Sequence, residues 1–416
     1  MKKIRIHGPI LLWLQLLTFV CFGRIMTTPI WHGMDGDILC EAHILSQNPV
    51  EMLGHLGFYF SQPLLQLAFL LEYRVFGLDT AGYIGVNLFI HAFNAFIVYM
   101  LVNMLFPRKS MAILAATLFA LGVGSYGKIF MAIHQLESLL LSCLHLLTLY
   151  FFIRNDFRHK GKLLSKFFLL GLFLFLLSGL TKATSFSLIL SLLAYKLFFN
   201  PWRGGRVLLS RDLLTIAVVG VLFQLAQNTW GYTHPTVFGA PEANPIFSWI
   251  SIKNLFRYLN LMFFPMQRSP IMESAPGWMI LVYQARTLIR IFLTLSIISY
   301  SFFGFIFGSK AIRFFIAWTY ISLLPFTGQT ITGTWLNLSH LYLTSLGFCI
   351  ILAAGAEGTS ALLRARKRAR FVPYLAPLAF VAMSLGLTYE LDHSNKLKAQ
   401  GEEARELRAT VDRICD

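Results

Sequence analysis

The sequence has 416 residues, of which 56% are hydrophobic and only 13% are charged, and its formal net charge is +16. Soluble domains carry about a quarter charged residues, so this composition excludes an ordinary soluble protein. The basic excess does not indicate nucleic acid binding, because Lys and Arg cluster in short connectors between apolar runs, as the positive-inside rule requires.

Apolar runs of about 18 residues or more recur along the chain, each long enough to cross about 30 Å of hydrocarbon as a helix. They are continuously apolar rather than alternating, which predicts helices and not a β-barrel. We therefore predict an all-α polytopic membrane protein with about 11 transmembrane helices. The predicted spans are about 10–26, 83–106, 111–123 and 136–153, a hairpin with its tip at 178–184, then about 213–229, 289–307, one ending near 327, 342–356 and 373–387.

The basic connectors also predict the orientation. Lys2, Lys3 and Arg5 precede the first run, and no small-x-small cleavage site follows before Arg24, so this run is interpreted as an uncleaved span with a cytoplasmic N-terminus. The C-terminus is then periplasmic, and two long outer loops carry interfacial helices. The predicted divisions are a membrane domain over 1–390, with outer loops at 27–80 and 230–277, and a short periplasmic helical tail over 391–416. Short loops and a compact tail favour a multi-pass protein of the bacterial inner (cytoplasmic) membrane.

The first outer loop opens with a polar segment that contains Asp35, Asp37 and Glu41. A carboxylate at a membrane surface can activate an acceptor hydroxyl as a general base while cations hold a departing phosphate. The alternative is a solvated acidic loop. The other outer candidates are Lys128, His134, Glu137, Lys182, His234, Arg268 and His340. Among these, Lys182 could instead snorkel from a helix end, and His134 and His340 could be hydrogen-bonding residues at helix ends.

Three segments in the first loop and second span carry a family resemblance: Tyr59–Leu64, Leu71–Asp79 and Val86–Ala95. Together they resemble the C-type glycosyltransferases, in particular the protein O-mannosyltransferase-like branch and the membrane part of its tetratricopeptide-containing members. Three further segments follow in the family's order: 177–183, 258–265 and 341–348. The resemblance therefore covers nearly all of the chain up to Leu387.

The resemblance implies a polyprenyl-phosphate sugar as donor and an acidic residue of the first outer loop as catalytic base. By position that base is Asp35 or Asp37, and the sequence does not decide between them. Donor phosphate or substrate binding falls to Lys182, Lys128, Arg268 and His340. The acceptor would be a glycan, lipid or protein at the periplasmic face. No Cys/His spacing indicates a zinc site, and a divalent cation is left open as a cofactor.

The chain departs from the family pattern at three places. The hairpin between spans 3 and 4 offers only Lys128, Ala183 replaces a glutamate, and Leu338-Ser339 replaces a Glu-Arg pair. The tail is too short for a tetratricopeptide array. The first hypothesis is an inverting glycosyltransferase of the hexosyltransferase class. The alternatives are an inactive relative that binds lipid-linked sugars or assists assembly, and, ranked last because the spans are nearly free of charge, a transporter or flippase.

Overall fold

The computed structural model describes residues 7–27, 33–47, 63–122, 129–181, 187–199, 210–229, 248–263, 277, 281, 284–328, 338–365 and 371–399. Within these ranges the backbone forms α-helices and short 3-10 turns, with no β-strand. The helices in chain order are α1 (Gly8–Phe22), α2 (Gly33–Gln47), α3 (Pro63–Phe76), α4 (Thr80–Leu105), α5 (Lys109–Leu121), α6 (Leu136–His159), α7 (Lys166–Gly179), α8 (Ser187–Phe199), α9 (Arg211–Thr229), α10 (Trp249–Phe263), α11 (Arg286–Phe307), α12 (Lys310–Thr327), α13 (Leu341–Ala365) and α14 (Leu375–Ala399).

The long helices have the length and composition of membrane spans. Six segments meet both requirements in the described part of the chain: Gly8–Thr27, Thr80–Leu105, Ile133–His159, Arg286–Phe307, Leu341–Arg364 and Val372–His393. Three shorter apolar helices, α5, α7 and α8, lie among them. The prediction of an all-α polytopic membrane protein is confirmed, while the count of 11 spans and the direction in which they cross stay predictions.

In the segment predicted as the first outer loop, the described residues form the helices α2 and α3, which pack against each other and against the rest of the helical bundle. A small apolar cluster lies between them, the start of α4 and the turn before α6. Its buried members are Leu39, Leu65, Phe69, Tyr83, Ile133 and Leu136. Burial of such side chains contributes about 25 cal/mol per Å² of apolar surface. The cluster therefore stabilises the packing of α2 against the start of α6.

A buried polar network joins α4 to α13 inside the bundle. The His91 ring donates from Nε2 to the Ala120 carbonyl at 3.0 Å and accepts at Nδ1 from the Tyr342 hydroxyl at 2.7 Å. The amide of Asn94 donates to the Leu139 carbonyl at 3.0 Å and to the Tyr342 hydroxyl at 3.1 Å. Buried polar groups need such partners, and these bonds fix α13 against α4.

A related bond orders the turn that leads into α6. The Asn87 amide donates to the Ala132 carbonyl at 3.2 Å, just before the 3-10 turn Ile133–Gln135. Asn87, His91 and Asn94 recur at helical spacing on one face of α4, which places all three toward the bundle interior. This face sets the position of His134, the residue around which the candidate site is built.

The end of α14 is tied to the end of the first span. Asp392 is buried, and its carboxylate lies 3.6 Å from the Arg24 guanidinium and 3.0 Å from the Lys396 ammonium. The predicted domain boundary at residue 390 falls inside α14, which continues to Ala399. Residues 400–416 lie outside the described ranges, so the separate helical tail stays a prediction.

Candidate active site

Asp35 lies in the first turn of α2, where a carboxylate is favoured by the helix dipole. Its side chain is turned inward and the residue is only 2% exposed. Its Oδ1 atom accepts from the backbone N–H of His134 at 3.0 Å and from the His134 ring at Nδ1 at 2.8 Å. Charge-assisted bonds of this length are among the stronger ones in proteins, so the carboxylate is held in one place.

Asp37 occupies the opposite side of the same helix. Two residues correspond to a rotation of about 200° around a helix axis, and Asp37 is exposed while Asp35 is buried. The two aspartates therefore cannot approach one acceptor together. The sequence left the choice between them open, and the geometry separates a fixed buried carboxylate from a solvated one.

His134 was expected from the sequence to be a hydrogen-bonding residue at a helix end. Its ring has Nδ1 on the Asp35 carboxylate, and the side-chain amide of Gln135 lies 2.7 Å from Nε2. A carboxylate only accepts, so the Nδ1 atom carries a hydrogen. The pair joins the first outer loop to the start of α6 across 99 positions of sequence, and no local pattern signals such a pairing.

Two glutamates, the half-buried Glu41 and the buried Glu72, lie where α2 packs on α3, outside the candidate membrane spans. Glu41 accepts from the Gln66 amide at 3.2 Å, and burial raises the pKa of Glu41 to about 7. Glu72 is only 8% exposed, and burial raises its pKa to about 8. Both groups are therefore substantially protonated near neutral pH, which makes this packed loop sensitive to pH.

We expect the thermal stability of the protein to fall as the pH rises from about 5 to 8, and Glu72→Gln to reduce that fall. The pKa of this carboxyl group is raised from 4.5 to about 8 on folding, so between these pH values the folded state binds more protons than the unfolded state. The free energy of unfolding therefore falls as the pH rises. The measurement is the unfolding temperature in lipid nanodiscs at each pH. Asp37→Asn, on the exposed face of α2, is the control and should leave the pH dependence unchanged. An equal pH dependence in Glu72→Gln would contradict the assignment.

His340 is the member of the predicted phosphate-binding set that falls within the described ranges. It precedes α13, where its Nδ1 lies 3.1 Å from the Tyr258 hydroxyl and its ring stacks on Phe326 at 3.9 Å between centroids. Burial raises the pKa of Tyr258, so this hydroxyl keeps its proton. Lys128, Lys182 and Arg268 lie outside the described residues, and their phosphate-binding role stays a prediction.

No group of three or more His, Cys, Asp or Glu side chains with the arrangement of a metal site occurs in the part of the chain that the structure describes. The carboxyl groups of Asp35 and Glu41 accept hydrogen bonds from other elements of the chain, and that of Glu72 is buried between helices. These carboxyl groups can take part in proton transfer and hydrogen bonding.

No protein-family model and no curated protein sequence matches the chain. The fold is similar to solved structures of the oligosaccharyltransferase AglB from the archaeon Archaeoglobus fulgidus. The complex with an inhibitory peptide and a dolichol-phosphate has a TM-score of 0.52 and 14% sequence identity, covering 95% of this chain and 56% of that one. The apo form has the same TM-score and identity, covering 94% and 56%.

This chain thus spans little more than half the length of the solved oligosaccharyltransferase chains that it matches. At 14% identity the likeness shows a shared fold. It shows that this chain shares the membrane fold of those structures, while membership of the C-type glycosyltransferases and of their O-mannosyltransferase-like branch stays a prediction.

Proposed function

We propose that this protein is a membrane glycosyltransferase that moves a sugar from a polyprenyl-phosphate-linked donor to an acceptor at the periplasmic face of a bacterial inner membrane. The fold supports a membrane enzyme of this kind, since one solved structure with the same fold contains a dolichol-phosphate and a peptide. The observation that carries the proposal is the buried Asp35 carboxylate, held by two hydrogen bonds at the junction of α2 and α6.

Asp35 is the proposed general base. The acceptor hydroxyl would transfer its proton to the carboxylate as its oxygen attacks the anomeric carbon, and the bond from that carbon to the phosphate oxygen would break with its electron pair going to the phosphate. Attack opposite the leaving group inverts the anomeric centre. Lys182, Lys128, Arg268 and His340 are the proposed partners of the leaving phosphate.

His134 is the proposed positioning residue for this base. Its two bonds occupy Oδ1 of Asp35 and fix the plane of the carboxyl group, so the carboxylate does not have to reorganise during reaction. Burial keeps competing water away from the carboxylate, so an acceptor hydroxyl docked beside it becomes the proton donor. An exposed base such as Asp37 would meet water at far higher concentration than acceptor.

We expect the purified protein in lipid nanodiscs to release polyprenyl phosphate from a polyprenyl-phosphate hexose when peptide or glycolipid acceptors are present. Donors with a phosphate and with a pyrophosphate link are tested side by side, and NMR of the product determines whether the anomeric configuration is inverted. Retention of configuration would contradict the direct displacement. Absence of transfer from every lipid-linked sugar would favour the non-catalytic relative that binds such lipids or assists assembly.

A further inference from the structure

A small cavity lies among α6, α8, α12 and α13, at the end of the bundle where Asp35 meets His134. Helices α6, α8 and α13 begin beside it and α12 ends there. Serines make up five of its described lining residues: Ser138, Ser142, Ser187, Ser322 and Ser339. This lining is polar in a part of the bundle that is otherwise packed with apolar and aromatic side chains.

His145 is a fully buried polar residue of the cavity wall. It is 1% exposed, and its ring meets Trp318 edge-on at 6.2 Å. Neither ring nitrogen has a hydrogen-bond partner among the described residues. Buried polar groups almost always have a partner, so an imidazole left in this state needs an explanation. A neutral imidazole offers one donor and one acceptor to whatever enters the cavity.

Two serine hydroxyls of the wall, those of Ser142 and Ser322, donate their hydrogens to backbone carbonyls. Ser142 donates to the Ser138 carbonyl at 2.7 Å, one turn back in α6. Ser322 donates to the Trp318 carbonyl at 2.8 Å, one turn back in α12. Each hydroxyl has one hydrogen and two lone pairs, so the Ser142 oxygen can still accept from a ligand, whereas the Ser322 oxygen also contacts the Thr344 hydroxyl at 3.0 Å.

The Tyr342 hydroxyl, which also lines the cavity, likewise donates its hydrogen to another group of the protein. The Ala120 carbonyl can only accept, so His91 Nε2 carries the hydrogen and His91 Nδ1 must accept from Tyr342. No lysine or arginine is among the described lining residues. Away from His340, which lies beside Phe326, the described wall around His145 offers acceptors from Ser142 and Tyr342 and no cationic side chain. This suits a neutral ligand that brings its own hydroxyl hydrogens better than it suits a phosphate.

We propose that this cavity binds one hydroxyl-bearing substituent of a neutral, hydroxylated ligand. Resting on the proposed function, this ligand is the sugar ring of the donor. The cavity is large enough for one such substituent but not for a whole sugar ring, so the ring itself would lie at the opening of the cavity. Phe326 offers an apolar face there, stacked on His340. Ser138, Ser142 and His145 recur at helical spacing along α6, which begins directly after the turn that holds His134 against Asp35.

The first experiment is saturation-transfer NMR on the protein in nanodiscs with methyl α-mannopyranoside, methyl α-glucopyranoside and inorganic phosphate as probes. We expect a signal from at least one glycoside, no displacement by phosphate, and loss of the signal in His145→Leu. His159→Leu makes the same change at the other end of α6 and should retain the signal. Ser142→Ala, which removes an acceptor, should weaken it.

The second measurement is stability, which separates a binding role from a structural one. Removing an unpartnered buried polar group relieves its desolvation cost, so His145→Leu should unfold at a temperature a few degrees higher than the wild type while losing the glycoside. His159→Leu should show no such rise. A destabilised His145→Leu would mean that the ring has a structural partner and would overturn the inference.

The outcomes distinguish this inference from the proposed function. Glycoside binding that depends on His145, without transfer from any lipid-linked sugar, would sustain the binding site and overturn the enzyme. Transfer with an unchanged donor KM in His145→Leu, or binding unaffected by that change, would overturn the site alone. Absence of a glycoside signal, or its displacement by phosphate, would also overturn the site and leave a cavity that holds water only.

Discussion

Asp35→Asn is expected to lower the rate of sugar transfer by about 10²- to 10⁴-fold, the usual cost of removing a positioned general base. Asparagine keeps the shape of the side chain, and its carbonyl oxygen can still accept from the backbone N–H and ring of His134. The packing of α2 on the start of α6 is therefore retained, but the amide cannot take a proton from an acceptor hydroxyl. The measurement is kcat with saturating donor and acceptor in nanodiscs.

Asp37→Asn is the matched control, since it makes the same change two residues away on the exposed face of α2. It should keep the parental rate. Equal loss in both variants would point to a general disturbance of α2, and full activity in Asp35→Asn would remove the first outer loop from the chemistry. Unchanged unfolding temperatures would show that the comparison concerns catalysis and not folding.

The helices were predictable because a membrane imposes a simple rule on sequence. Long apolar runs separated by basic connectors placed the spans within a few residues of where helices α4, α6 and α11 lie. The helix over Gly33–Gln47 was less visible, since it is short, polar and stabilised by packing on α3 rather than by its own periodicity.

The contacts of the site depend on tertiary packing and could not be predicted in this way. The sequence offered Asp35 and Asp37 as equivalent acidic residues, and only the fold sets one against His134 and the other toward solvent. The burial of Glu41 and Glu72 likewise follows from the way α2 and α3 meet. A single sequence contains no signal for the distance between such residues.

The family resemblance identified scaffold residues as well as candidate catalytic ones. His91 and Asn94 belong to one resembling segment and Tyr342 to another, and the structure brings the three together in one buried network. Their bonds are satisfied within the bundle, so they fix α4 against α13. The residues that carry the resemblance in these two segments therefore have a structural role in this fold.

A buried ion cluster at the opposite end of the bundle gives the largest expected effect on stability. The Lys196 ammonium of α8 is 2% exposed and lies 2.8 Å from Asp156 Oδ1 of α6 and 2.8 Å from Asp212 Oδ2 of α9. The contact with Asp156 is a hydrogen bond, whereas the one with Asp212 is a close ion pair without hydrogen-bond geometry. Three helices therefore depend on one cation.

Lys196→Met should destabilise the protein by about 3–5 kcal/mol, because it leaves two carboxylates in a water-poor site without their cation. Lys162→Met removes an exposed lysine from the connector between α6 and α7 and should change stability little. Adding Asp156→Asn and Asp212→Asn to Lys196→Met should restore most of the loss, since buried ion clusters can be replaced by neutral groups at small cost once no charge is left unpaired. Unfolding temperature and protease resistance in nanodiscs measure each variant. If Lys196→Met proves as stable as the parent, the carboxylates must reach water or another cation, and the cluster does not hold α6, α8 and α9 together.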